Sequence, residues 1–336
     1  MIKHLITLLT LIALLAATQA FAAKPDLFKA IESGNLARVK QMIQTDKSLL
    51  HEKQRKSGNL PLHCAVKVGN LDMIKLLLDL GADPNKNDKS SISGCSPIYY
   101  AITGNREDIA QLLLERGARI YEQNDAGNLL VLATKYRCFA LAQKLLKTGN
   151  FKINQKAQQG GLSALHYAVQ AGNLDFVKLL VENGANVNLF GDNNRTPLHI
   201  AAEENFTDIA KFLVEKGANV NAYELEPVDR LSSSAGKYER KFANGALHYA
   251  TQNGNLELVK LLVENGANAN AFSCGENTPL HYAAYNGHDE IIRYLVSKGA
   301  NINARGKIGK ETPLKRAMKK KRKSTIALIK SLGGKK

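Results

Sequence analysis

An all-α solenoid of about nine helix-turn-helix units is the fold class that this 336-residue sequence predicts, on three observations. A short phrase ending in alanine recurs along the chain, at Ala30, Ala65, Ala101, Ala133, Ala168, Ala201, Ala250, Ala283 and Ala317. The steps between these alanines are 35, 36, 32, 35, 33, 49, 33 and 34 residues, a repeat period near 33 with one long exception. Sixteen residues past the alanine stands a glycine in eight of nine copies, at Gly81, Gly117, Gly149, Gly184, Gly217, Gly266, Gly299 and Gly333; the first copy has Asp46. Between the two runs an apolar pattern of helical period, as in Leu174, Phe176, Val177, Leu179, Leu180 and Val181.

Each element of the unit follows from its residues. Thr-Pro opens the first helix, at Thr196, Thr278 and Thr312, with threonine as N-cap and proline at the first helical position. Four residues past the alanine the helix breaks at Gly34, Gly69, Gly172, Gly254 and Gly287, or at Asn105 and Asn205, residues that enter the left-handed region at low cost. The second helix then runs to the repeat glycine, which caps it in the same backbone region. An extended segment such as Ala185-Asn186-Val187-Asn188 follows and forms a projecting β-turn finger. One helix pair cannot bury its own apolar face, so the units must stack.

Thr-Pro-Leu-His-x-Ala at 196–201 and 278–283, its variant at 312–317 with Lys315 in place of histidine, and the recurrent Gly-Ala-Asn-x-Asn give the chain its family character. On these motifs it resembles the ankyrin repeat family, from about Pro25 to the C-terminus. The resemblance implies a curved stack, with fingers along one edge and first helices lining a concave face that binds a partner. It also implies that the phrase histidines, His63, His166, His199, His248 and His281, satisfy buried polar groups between units. The fourth unit matches least, with Leu130-Val131-Leu132-Ala133 and with Arg137 at its inter-helix turn. Residues 25–59 read as an N-terminal cap, 305–336 as a basic C-terminal cap, and 223–242 as an enlarged finger that holds the long step. Together 23–336 form the repeat domain.

The N-terminus reads separately. Lys3 and His4 precede the apolar run Leu5 to Ala17, and Ala20-Phe21-Ala22 presents the small residues a signal peptidase reads. Residues 1–22 are therefore expected to be a cleaved signal, leaving a periplasmic or secreted chain. The competing reading is a retained anchor, although the run is short of the roughly 20 apolar residues a spanning helix needs. The Ala-x-Ala end looks bacterial; a eukaryotic secretory leader fits the same residues. Cys64, Cys95, Cys138 and Cys274 occupy different repeat positions. Only Cys64 and Cys95 lie in neighbouring units, and their offsets argue against pairing.

Nothing in the sequence calls for catalysis, a cofactor, a metal or a small-molecule substrate. Gly-x-Ser-x-Gly, phosphate-loop and His-Glu-x-x-His motifs are missing, and histidines one repeat apart cannot converge on one zinc ion. The expected function is a non-enzymatic interaction scaffold for a protein partner. Candidate contact residues are Phe190, Tyr223, Phe272 and Arg305, all six positions past a repeat glycine in consecutive fingers, joined by Tyr285 at an inter-helix turn. The rings are expected to be exposed along one edge. The alternative is a binder of anionic surfaces, whether membrane lipid, lipopolysaccharide, nucleic acid or an acidic protein. Residues 305–336 carry thirteen Lys or Arg against Glu311 alone, and Lys319, Lys320, Lys321, Arg322 and Lys323 cluster at the last turn.

Overall fold

The computed structural model describes residues 26–88, 94–119, 129–147, 152–157, 161–225, 242–273, 277–306 and 310–336. The expected signal, most of the long finger and Cys274 lie outside these residues. The chain divides into two compact units, one ending at residue 124 and one starting at 125. Both are built from antiparallel helix pairs.

The first unit contains three pairs: α1 (Leu27–Glu32) with α2 (Leu36–Thr45), α3 (Pro61–Val68) with α4 (Leu71–Asp79), and α5 (Pro97–Thr103) with α6 (Glu107–Glu115). Its first helices pack on one another in chain order. Asp26 caps α1 with its carboxylate, which accepts from the Phe28 and Lys29 N–H groups. Asp46, which stands where later units have the repeat glycine, is extended at φ −140° and caps a short 3-10 turn, Lys47–His51. A glycine there has no left-handed position to fill.

The second unit has six pairs: α7 (Leu129–Lys135) with α8 (Phe139–Lys147), α9 (Ala164–Gln170) with α10 (Leu174–Glu182), α11 (Pro197–Glu203) with α12 (Thr207–Glu215), α13 (Ala246–Gln252) with α14 (Leu256–Glu264), α15 (Pro279–Asn286) with α16 (Asp289–Ser297), and α17 (Pro313–Lys319) with α18 (Lys323–Ser331). Again first helix packs on first helix from α7 to α17. The marker alanines Ala133, Ala168, Ala201, Ala250, Ala283 and Ala317 are fully buried at these contacts, where a larger side chain would hold the helices apart. Second helices fill the other side of the core with Val177, Leu180, Leu213, Val259, Leu262 and Leu295. Among the described residues Phe176 is the largest wholly buried side chain, and it meets Phe139 at 5.2 Å between ring centroids.

The inter-helix turn takes positive φ in every pair whatever residue it holds, including Arg137 at 62° and Lys321 at 55°. Glycine is demanded where the next unit closes over it. A Cβ on Gly254 would come within 2.6 Å of the His288 ring. The long step between Ala201 and Ala250 opens as an antiparallel ribbon, β1 (Tyr223–Leu225) against β2 (Phe242–Gly245), with Tyr223 opposite Gly245. The enlarged finger thus has a two-stranded stem.

Candidate functional site

The histidines show how the units are joined. In α11 the Thr196 N–H donates to His199 Nδ1 at 3.2 Å, so that nitrogen is unprotonated. His199 Nε2 lies 2.9 Å from the Ala222 carbonyl in the finger that follows α12, which can only accept, so Nε2 carries the hydrogen. One neutral tautomer satisfies both ends. His166 repeats the pattern between Ser163 and Arg195, His248 between Gly245 and Ala271, and His281 between Thr278 and Glu311. Burial pushes His166, His199 and His248 down to about 4 and lowers His63 and His281 as well. In the first unit Leu60 replaces the threonine cap, and His63 Nδ1 is left without a partner while Nε2 reaches the Cys95 carbonyl at 2.9 Å.

The finger edge carries a second set of links. The later asparagine of each Gly-Ala-Asn-x-Asn bonds twice to the following unit. Asn188 donates to the Gly217 carbonyl at 2.9 Å and accepts from the Asn219 N–H at 2.7 Å. Asn221 does the same to Gly266 and Asn268, at 2.8 and 2.9 Å, and Asn270 to Gly299 and Asn301. Asn303 ends the ladder on Gly333 and Lys335. The recurrence of this asparagine was visible in the sequence; its bridging role follows from the spacing of the fingers.

On this edge stand Phe190 and Phe272, 43 % and 37 % exposed, two of the four large apolar side chains that are exposed among the described residues. Arg305 is exposed in the next finger. Tyr223 departs from the expected exposure and is half-buried. The ribbon explains this: β1 pairs with β2, which sets the Tyr223 ring beside Gly245, where even a Cβ would make only ordinary contact with it. Burial raises its phenol above the ordinary value.

At the first-helix side, Tyr285 lines a recess of about 220 Å³ together with Gln252, Tyr282, Asn286 and Arg316. Sequence reasoning missed the last four. Their signal is Leu-His-Tyr-Ala, which puts Tyr167, Tyr249 and Tyr282 immediately before three marker alanines, with Arg316 at that place in the last unit. The Tyr282 ring meets the preceding unit's His248 edge-on at 5.9 Å, and its hydroxyl lies 3.0 Å from Ser273 Oγ. Arg316 pairs with Glu311 at 2.9 Å and donates to Asn277 at 3.0 Å.

The basic run surrounds the last inter-helix turn, and all five side chains are exposed. They are not equivalent. Lys319 shares Glu311 at 3.5 Å, Lys320 sits over the Tyr285 ring at 4.5 Å, and the Arg322 chain covers Gly287 as His288 covers Gly254. Lys321 holds the left-handed turn position and Lys323 begins α18.

The family described as "Ankyrin repeats (3 copies)" matches the chain at residues 27–124, 129–224 and 225–306. The chain belongs to the ankyrin repeat family. Ankyrin repeats generally mediate protein–protein interaction, and the helix pairs, fingers and inter-unit links described above are built on their plan. The sequence is similar to the Neurogenic locus notch homolog protein 1 of Danio rerio, 31% identical over 44% of this chain and 6% of that protein. It is also similar to the human Transient receptor potential cation channel subfamily A member 1, 28% identical over 44% of this chain and 17% of the relative. A third relative, the Putative palmitoyltransferase ZDHHC13 of Danio rerio, is 32% identical over 41% of this chain and 21% of its own length. The chain thus matches about a fifth or less of the length of these relatives.

Within the ankyrin stack, side chains adjacent in sequence part company. His63 bonds to Cys95 of the next unit, while Cys64 faces Glu32 of the preceding one at 3.9 Å. Burial, reinforced by Glu32, pushes the Cys64 thiol up to about 11, which keeps it protonated and unreactive. Cys64 is a free thiol. Among the described residues no group of three or more His, Cys, Asp or Glu is placed to hold a metal ion, and no helix is long and apolar enough to cross a membrane.

Proposed function

We propose that this chain is an exported, non-enzymatic scaffold that captures a protein partner through its finger tips and the first-helix side of the stack. The observation that carries this is the exposure of Phe190 and Phe272 at the same repeat position. Exposed rings at matched places, with Arg305 at that place in the next finger, have the composition of interface cores. The histidine role argues in the same direction: each of the four in the second unit spends both nitrogens on structure. Replacing Phe190 and Phe272 together by serine is expected to weaken partner capture by about 1–2 kcal/mol per contributing ring. Folding should be barely affected, because both rings already meet water. Unchanged capture, or loss of the folded state, refutes the assignment. Export follows from the leader at residues 1–22; N-terminal sequencing of the chain from periplasm or medium should begin at Ala23. Recovery with Met1 attached refutes cleavage.

A second reading rests on the exposed run Lys319 to Lys323 and makes the chain a binder of anionic surfaces. Salt separates the two. A complex held by the basic cap weakens steeply from low to high ionic strength, whereas one held by the finger aromatics changes little.

A further inference from the structure

The inter-helix ends of successive first helices carry a graded pair of residues, two and three positions past the marker alanine. They run Glu203-Glu204 on α11, Gln252-Asn253 on α13, Tyr285-Asn286 on α15 and Lys319-Lys320 on α17. The row therefore passes from acidic through amide and phenol to basic in four units. The recess bordered by Gln252, Tyr285, Asn286 and Arg316 lies toward its basic end. From this polarity we propose that the recess binds an acidic segment of the protein partner, with a carboxylate against Arg316 and Lys320 and an adjoining apolar group on the Tyr285 ring.

Three features support this occupant. Arg316 is held in place by Glu311 and Asn277, so its guanidinium is oriented before any ligand arrives. Among the described residues Glu311 is the one carboxylate paired with Arg316 and Lys319, and Lys320 adds a further positive charge over the Tyr285 ring, which leaves the local balance positive. The Lys320 ammonium, hydrogen-bonded to the Tyr285 hydroxyl, also draws that phenol below its ordinary value, as a positive field does. The shape selects a peptide over a flat surface. The recess is concave, and the amides of Gln252 and Asn286 at its border offer the donors and acceptors a peptide backbone requires. At the other end of the row Glu204 repels an acidic chain, which orients the segment with its charge toward α17.

The inference rests on the protein-partner reading above, and its test uses neither that partner nor Phe190 and Phe272, so each can fail alone. The probe is a fluorescein-labelled synthetic peptide of alternating glutamate and tyrosine, titrated by anisotropy into the purified chain at low salt. Saturable binding is expected. Lys320→Ser and Tyr285→Ser should each weaken it about tenfold, the effect of losing one good contact. Both residues lie at the surface, so melting curves should match the parent. Removing charge away from the recess, by Lys211→Ser with Lys330→Ser, both exposed on second helices, should change binding no more than about twofold, since exposed charges at a distance are screened. Equal losses in the recess and control variants would reduce the effect to net charge and overturn the proposal, as would absence of saturable binding. Displacement of the peptide by phosphatidylglycerol vesicles, lost in the Lys320 and Tyr285 variants, would assign the recess to a lipid surface instead.

Discussion

Acid should unfold the second unit in a defined window, and the inter-unit histidines set it. His166, His199 and His248 sit near 4 in the folded chain, against about 6.5 when exposed. A lowered value means that between about pH 4 and 6.5 the unfolded chain binds more protons, so stability rises with pH there. The contribution is complete above the unfolded value and is lost as the pH falls toward 4. Lowering the pH from 7 to 5 removes about 2 kcal/mol for each histidine, or about 5–6 kcal/mol for the three together. That is comparable with the whole stability of many domains, about 5–15 kcal/mol. In urea denaturation followed by far-UV circular dichroism, the midpoint should fall by about 2 M between those pH values, for a slope near 2–3 kcal/mol per molar. The plot of stability against pH near 5.5 should correspond to roughly three protons taken up on unfolding. In His248→Ala it should correspond to roughly two. A stability that is flat from pH 7 to 5, or a slope unaltered by His248→Ala, would refute the neutral, doubly bonded histidine.

Asn221→Ala removes both bonds of one ladder rung and should cost about 1–2 kcal/mol, read from the same urea curves. Asn221→Asp keeps the acceptor, loses the donor to Gly266, and should fall between parent and alanine variant. Gly217→Ala pays mainly for its positive φ of 84°, about 1–2 kcal/mol, because a Cβ there meets nothing within 4 Å. Gly254→Ala adds a clash with His288 and should lose clearly more; equal losses would show that the ring gives way.

The stack was legible because its signals are local and repeated. Alanine at a helix contact, glycine at a left-handed cap and threonine-proline at a helix start each act within a few residues. Lys315 illustrates the limit of such signals. In the sequence it is only a missing histidine; in the structure no ring takes up the Thr312 hydroxyl, which donates instead to the Lys335 carbonyl at 2.9 Å. Tyr223 misled because its surroundings depend on a partner strand twenty residues away, outside any repeat register. The recess was passed over because Arg316 was counted with the basic tail. Its place in a tyrosine row, and its contact with Asn277 of the preceding finger, require the fold.

One rung of the asparagine ladder crosses the long finger. Asn188 and Asn219 are 31 residues apart, Asn221 and Asn268 are 47, and yet the two N–H···O distances are 2.7 and 2.9 Å. Height along the edge is therefore metered by rungs, not by chain length, and a detour leaving between them does not disturb the count. This makes the base of β1 and β2 a natural graft point. A foreign segment hung there should leave the registry on either side intact, so that finger and stack are free to change independently.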